Sequence, residues 1–258
     1  MPRSDRARGR LDVRPGQGPS GRARGIALPC AELTSSFLGP PSPKDAPHPA
    51  ATKGSHEPSM NPSTELRDRA SLLARSNARS ALAIARSVPD PWFRAQALAA
   101  VARWIDDFSV GIIAAESLAA AAECADDYQR AAVSAWPIRA LAERGCLREA
   151  NEALATARQR ALLAEPAGSR AEALMSLLEG GWSLGATNRR QLVSDLLALQ
   201  AASGHWRAAR ALVDALGMLG VVDHRAAEEF AAQVQDDTCR TKALAAIAAG
   251  DRRPRSFF

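Results

Sequence analysis

One pattern recurs along the chain and narrows what it can fold into. Residues 88–103 read VPDPWFRAQALAAVAR and residues 234–249 read VQDDTCRTKALAAIAA. Aligned without gaps, Val88 falls on Val234, Asp90 on Asp236 and Arg94 on Arg240, while Ala97-Leu98-Ala99-Ala100 falls on Ala243-Leu244-Ala245-Ala246. A weaker copy, CADDYQRAAVSA, occupies 124–135 and places Asp126, Tyr128 and Arg130 where the first copy has Asp90, Trp92 and Arg94. A fourth, SRAEALMSLLEG at 169–180, aligns Arg170 with Arg94 and Leu174 with Leu98. A chain that repeats one unit stacks the copies, and each copy buries against the next the face it cannot bury alone.

The unit is a helix, a tight turn and a second helix. Small or apolar residues at three- and four-residue spacing fill Ala81–Val88, Ser117–Cys124 and Ala227–Val234, each just ahead of a motif copy. Asp90 suits the N-cap of the following helix because its carboxylate can accept the first free amide hydrogens. Pro91 suits the first helical position, where no amide hydrogen is required. Asp126 and Asp236 put acid at the same positive helix end. Extended along the chain, this reading predicts an all-α fold of about ten antiparallel helices arranged as stacked hairpins, an α-solenoid. The predicted helices span 64–87, 90–104, 109–124, 126–143, 146–163, 167–179, 187–202, 205–216, 223–234 and 236–249. Gly145, Gly180, Gly181, Gly185, Gly204, Gly217 and Gly220 are expected between helices as C-terminal caps, and Pro137 is expected to kink or split its helix. No strand pattern is present.

Composition divides the chain into a helical domain over 63–250 and two flanking tails. Residues 1–62 hold eleven of the 16 prolines and seven of the 17 glycines, with no apolar periodicity, so they are expected to be disordered. Two readings of this stretch stay open: a genuine disordered tail, or non-coding DNA read as protein, with the natural start at Met60. The G-x-G-x-x-G match at Gly16–Gly21 has neither a strand before it nor a helix after it, and is read as chance. Alanine fills about a quarter of residues 61–250, which favours helix. The net charge of +5 comes from the ends: residues 61–250 carry 21 basic and 22 acidic side chains. A phosphate-binding fold needs a basic excess of its own, so nucleic acid is not the expected partner of the helical domain. The segment 251–258, DRRPRSFF, could serve as a docking peptide but is expected to fray as a basic C-terminal tail.

The helical region resembles tetratricopeptide-type α-solenoid repeats, with HEAT-like repeats fitting nearly as well. The likeness rests on Leu141-Ala142-Glu143-Arg144-Gly145 followed by Glu149-Ala150 and Ala153-Leu154, and again on Gly204, Ala208-Ala209 and Leu212. The usual Trp, Tyr and Pro positions are not consistently filled, so the repeats are degenerate. The resemblance implies binding of a peptide or protein along one face of the stack. Fold likeness does not fix function.

Chemistry-bearing residues are sparse. Cys30, Cys124, Cys146 and Cys239 show neither zinc-site nor disulfide spacing and are read as buried thiols in a reducing compartment, the cytoplasm. His205 is expected to open or cap a helix, and His224 to sit in a solvated first turn. No metal, nucleotide or nucleophile motif occurs, so no cofactor and no catalysis are expected. No apolar run approaches the ~18 residues that span a bilayer. The recurring Arg94, Arg130 and Arg240 could grip a carboxylate or phosphate, but each lies four residues after an Asp, the spacing of a same-face ion pair, and a structural role is expected. Trp92 and Tyr128 share a repeat position and are expected to pack. Trp104, Trp136, Trp182 and Trp206 share none, so a binding face would draw on them. The candidate ligand-binding residues are Trp136, beside Pro137, and Arg139. The sequence reading is therefore a non-enzymatic scaffold for a protein or peptide partner, with a nucleic-acid-associated helical repeat as the alternative.

Overall fold

The computed structural model describes residues 62–258. Contacts divide the chain at Gly54/Ser55, and all described elements belong to the second unit. The expectations for residues 1–61, including the start at Met60 and the glycine motif, lie outside the described residues. The described chain is all-α: α1 (Pro62–Ala74), α2 (Ala78–Ser87), α3 (Pro91–Ala102), α4 (Val110–Ala122), α5 (Asp127–Glu143), α6 (Leu147–Leu163), α7 (Ala167–Gly180), α8 (Ala186–Ser203), α9 (Trp206–Val222), α10 (His224–Ala231) and α11 (Asp237–Ala249), with a 3-10 turn at Trp182–Leu184. The odd-numbered helices make one continuous layer, α1 on α3, α3 on α5, α5 on α7, α7 on α9 and α9 on α11. Each even-numbered helix packs on its odd neighbours, and among the even ones only α8 and α10 meet appreciably. Stacked hairpins of this kind bury apolar surface mainly between successive units.

The turn chemistry follows the sequence in its carboxylates. The Asp90 side chain accepts from the Trp92 and Phe93 amides, that of Asp126 from Gln129, and that of Asp236 from Cys239. Imidazole does the same work at His205, whose Nδ1 accepts from the Arg207 amide. At Gly145, with φ of 76°, the Cys146 amide donates to the Leu141 carbonyl and the Gly145 amide to Ala142. This double bond pattern ends α5 with a left-handed residue that glycine adopts without strain.

The Asp–Arg ion pairs expected at four-residue spacing do not form, although Arg130 and Arg240 pair with Asp127 and Asp237, three residues back. Each recurring Arg instead turns back across the interhelical turn to the carbonyl six residues before it. Arg94 Nη1 donates to Val88 O at 3.2 Å, Arg130 Nε to Cys124 O at 2.9 Å, Arg170 Nε to Ala164 O at 3.0 Å and Arg240 Nη1 to Val234 O at 3.0 Å. The acceptors lie where the preceding helix runs out, among carbonyls that have no intrahelical partner. The Asp carboxylates are already committed to capping, and the guanidinium fork reaches several acceptors at once. Arg94 also donates to Pro89 O and pairs with Glu123. The structural role expected for the column therefore stands with different partners. Arg94→Ala is expected to cost about 1.5 kcal/mol, because charge-assisted bonds to main-chain carbonyls are lost. Asp90→Ala should cost about 1 kcal/mol. Arg94→Lys should restore little, since an ammonium cannot span the same acceptors. Urea unfolding of the three variants checks the order.

Four further expectations are corrected. The long helix at 64–87 is two helices, because Asn77 caps α2 by accepting from the Ser80 amide. The stretch runs on in alanine and hides that break. Gly217 and Gly220 lie inside α9, not after it. They sit against Ala246 and Ile247 of α11, and the close approach holds the helix through both. Pro137 does not split its helix: α5 runs through it, and packing against α3, α4, α6 and α7 outweighs one missing amide hydrogen. Residues 251–258 are not frayed; Phe257 is buried in the core.

Candidate functional site

The C-terminal segment gives the face of the odd-numbered layer its character. After Gly250, a left-handed cap at φ 62°, the chain leaves the helix and has no regular secondary structure. It runs back across the odd helices in reverse order. Arg252 reaches Asp214 of α9 at 3.4 Å. Arg255 meets α7, with Nε 2.9 Å from a Glu179 carboxylate oxygen and Nη2 donating to Ser176 Oγ at 3.1 Å. Phe257 and Phe258 meet Trp136 of α5 edge to face, both with ring centroids 5.3 Å from it. Beyond α3, the Arg103 guanidinium lies over the Phe258 ring at 4.6 Å. The segment thus visits α9, α7 and α5 in turn and reaches the C-cap of α3, held by side chains and by one main-chain bond, the Arg255 amide donating to Glu179 at 3.4 Å.

Helix geometry explains why this face is separate from the even-numbered helices. At about 100° per residue, Trp136, Arg139 and Glu143 share one side of α5. Arg130, Ser134 and Leu141 fall on the other side, where they floor a cavity of about 350 Å³ between α4 and α6. Trp136 and Phe258 also contact both halves of the apolar core, the half around α1–α4 and the half around α7–α11. Aromatic edge-to-face pairs contribute about 1 kcal/mol each beyond burial, so the Trp136 contact anchors the segment.

Of the two sequence-predicted site residues, Trp136 touches the segment directly. Arg139 does not: its Nε lies 2.6 Å from Glu143, which also binds Arg103. It acts on Phe258 only through that chain of charges. Three of the four non-periodic tryptophans border the segment's path. Trp104, largely exposed, lines the same cavity of about 320 Å³ as Trp136, Phe257 and Phe258. Trp206 lines a cavity of about 480 Å³ with Asp214 and Arg252. Trp182 carries Arg189 over its ring instead. Trp92 and Tyr128 stack on each other at 6.4 Å, as packing residues of neighbouring units. The residues missed from sequence are Ser176, Glu179 and Asp214. Nothing local marks them, and only their distant partners in the C-terminal segment give them a role.

Glu179 is the electrostatic centre of the track. Burial pushes its carboxyl above the usual carboxylate range; Arg255, through its charge and its amide, pulls it down, and Asp214 pushes it up slightly. Because the folded value is raised, the protonated form favours the fold, and ionisation costs stability as pH rises through that value. Arg255 offsets part of this cost through its charge and its amide. Arg255→Ala is expected to raise the Glu179 pKa further, measurable by carboxyl-carbon NMR titration; an unchanged value would mean that the pair contributes nothing.

Other chemistry is thin. The three described cysteines are free, and burial pushes the Cys124 thiol up to about 11, so it is no thiolate at neutral pH. Among the described residues no His, Cys, Asp or Glu cluster could hold a metal ion, and no helix is long and apolar enough to cross a membrane. Comparison with protein-family models, curated proteins and solved structures returns no match, so the functional reading rests on the geometry of the odd-numbered face.

Proposed function

We propose that this chain is a non-enzymatic, tetratricopeptide-like scaffold of the cytoplasm that binds an extended peptide segment of a partner protein along the odd-numbered helices. The observation that carries the reading is the track of Arg252–Phe258. An irregular stretch of chain is held across α9, α7, α5 and the C-terminal end of α3, with an aromatic anchor and carboxylate partners for Arg252 and Arg255. Aromatic and arginine anchors in partly desolvated sites dominate peptide recognition. The segment itself stays mostly exposed between its anchors, as a seated ligand does and a core strand does not.

Photo-crosslinking in the cell that makes the protein tests this. A benzophenone amino acid replaces Leu72, exposed at the end of the track, or Leu163, exposed at the end of α6. Protease-sensitive adducts from position 72, absent from position 163, are expected. Nuclease-sensitive adducts, or equal labelling at both positions, would overturn the reading.

A further inference from the structure

We infer that the stack flexes at α5, where α4 and α6 can approach or part, and that the C-terminal segment is the strap that restrains this motion. The apolar core already divides there. Val133, Ala140 and Leu141 of α5 pack with the half around α1–α4, whereas Ala131, Ala135 and Ile138 pack with the half around α7–α11. Helices α1–α4 pack appreciably on α6–α11 only by way of α5. The ion pairs that Arg103 and Arg160 send toward the division both end on α5, at Glu143 and Asp127. In a stack of nearest-neighbour units, one weak boundary sets where the whole bends.

The even-numbered layer marks this boundary as different from the others. Arg86 of α2 is tied to Glu116 of α4 by bonds of 2.9 and 2.7 Å, and Arg158 of α6 to Asp195 of α8 by bonds of 2.5 and 2.8 Å. Arg190 of α8 reaches Asp223, the N-cap of α10, at 2.6 Å. The first two ties are bidentate, the stronger and more directional form. Among the described residues no such tie joins α4 to α6. The repeat shows where it would stand. Glu116 lies ten residues before the N-cap Asp126, and Asp195 ten before the N-cap His205; ten before Pro166, the N-cap of α7, is Thr156. Arg86 lies four residues before the N-cap Asp90, and four before Asp126 is Ala122. Ala122 and Thr156 both line the cavity of about 350 Å³ between α4 and α6. Both partners of the tie are missing at once, and the gap lies where they would have closed it. On the opposite face the segment bridges the division. Arg252 and Arg255 hold it to α9 and α7. Phe258 then touches both halves of the core, as Trp136 and Leu184 do from within the stack.

Double electron–electron resonance on the full chain tests this, with nitroxides attached through p-acetylphenylalanine so that the cysteines take no part in labelling. One pair of exposed positions, Ala119 of α4 and Gln159 of α6, spans the cleft. A second pair, Gln159 and Ala198 of α8, spans the Arg158–Asp195 tie. With Arg255→Ala, Phe257→Ala and Phe258→Ala together, the first distance distribution should become about twice as broad while the second stays unchanged. Adding Ala122→Arg and Thr156→Glu, which supply the missing tie, should return the first to its original width. Should the triple variant fail to fold, Phe258→Ala alone, which leaves the buried Phe257 in place, carries the comparison. An unchanged first distribution, or equal broadening of both pairs, would overturn the strap. Broadening that persists with the tie residues added would overturn the missing tie as its cause.

Discussion

Gly180→Ala is expected to destabilise the fold by about 2 kcal/mol, although alanine is the better helix former. Gly180 closes α7 where it crosses α5, and a Cβ there would stand 2.6 Å from the Ala135 carbonyl oxygen and 2.9 Å from the Ala135 Cβ. The obstacle is main chain, so no side-chain rotation relieves it. The two helices must separate, and with them Leu177 and Leu178, which are fully buried in the same layer. Overpacking of this kind costs about 1–3 kcal/mol, which outweighs the ~1 kcal/mol that alanine gains over glycine within a helix. Gly111 supplies the control. It lies in α4 with nothing within 4 Å of a built Cβ, so Gly111→Ala should stabilise by a few tenths of a kcal/mol. Thermal unfolding of both variants reads the contrast; equal effects would mean that α5 and α7 are not packed at the distance described.

Phe257→Ala is expected to cost about 1–2 kcal/mol, less than the 3–5 kcal/mol typical of a buried phenylalanine. Phe257 is only 6% exposed and sits in the core beside Trp136, so a fixed core residue would give the larger figure. The segment that carries it can leave, however. Once it undocks, nothing more can be lost, and the cost is capped by the free energy of docking. Trp136→Ala removes the surface that receives both rings and should cost more, because Trp136 also contacts both halves of the core. Equal losses for Phe257→Ala and for Leu177→Ala would make the C-terminal segment an ordinary part of the core, with no track beneath it.

What could be read from the sequence was local, and what could not was remote. Asp90, Asp126 and Asp236 cap helices because the amides they serve lie two or three residues on, and N-cap chemistry needs no tertiary context. The Arg column was visible as a repeat, and its structural role followed from the recurrence. Its partners were misassigned because the four-residue rule considers one helix, whereas Arg94 and its counterparts bond across the turn to the helix before. Gly217 and Gly220 look like breaks until α11, some thirty residues later, packs against them. Trp136 could be chosen as a site residue because it breaks the repeat, and a residue the unit does not need is free to serve something else. That Phe257 and Phe258 cover it depends on a contact spanning about 120 residues. No local pattern encodes such a contact, and the terminal position of this basic segment argued for fraying instead.

Nitrogen-15 relaxation of residues 252–258, recorded with and without a saturating amount of the synthetic peptide DRRPRSFF, shows whether the C-terminal segment is a displaceable occupant of the track. Backbone order parameters for Arg255–Phe258 are expected near 0.8 without peptide, close to those of the helices, and below about 0.6 once the peptide takes the track. Order parameters already low without peptide, or unchanged while the peptide binds elsewhere, would contradict it.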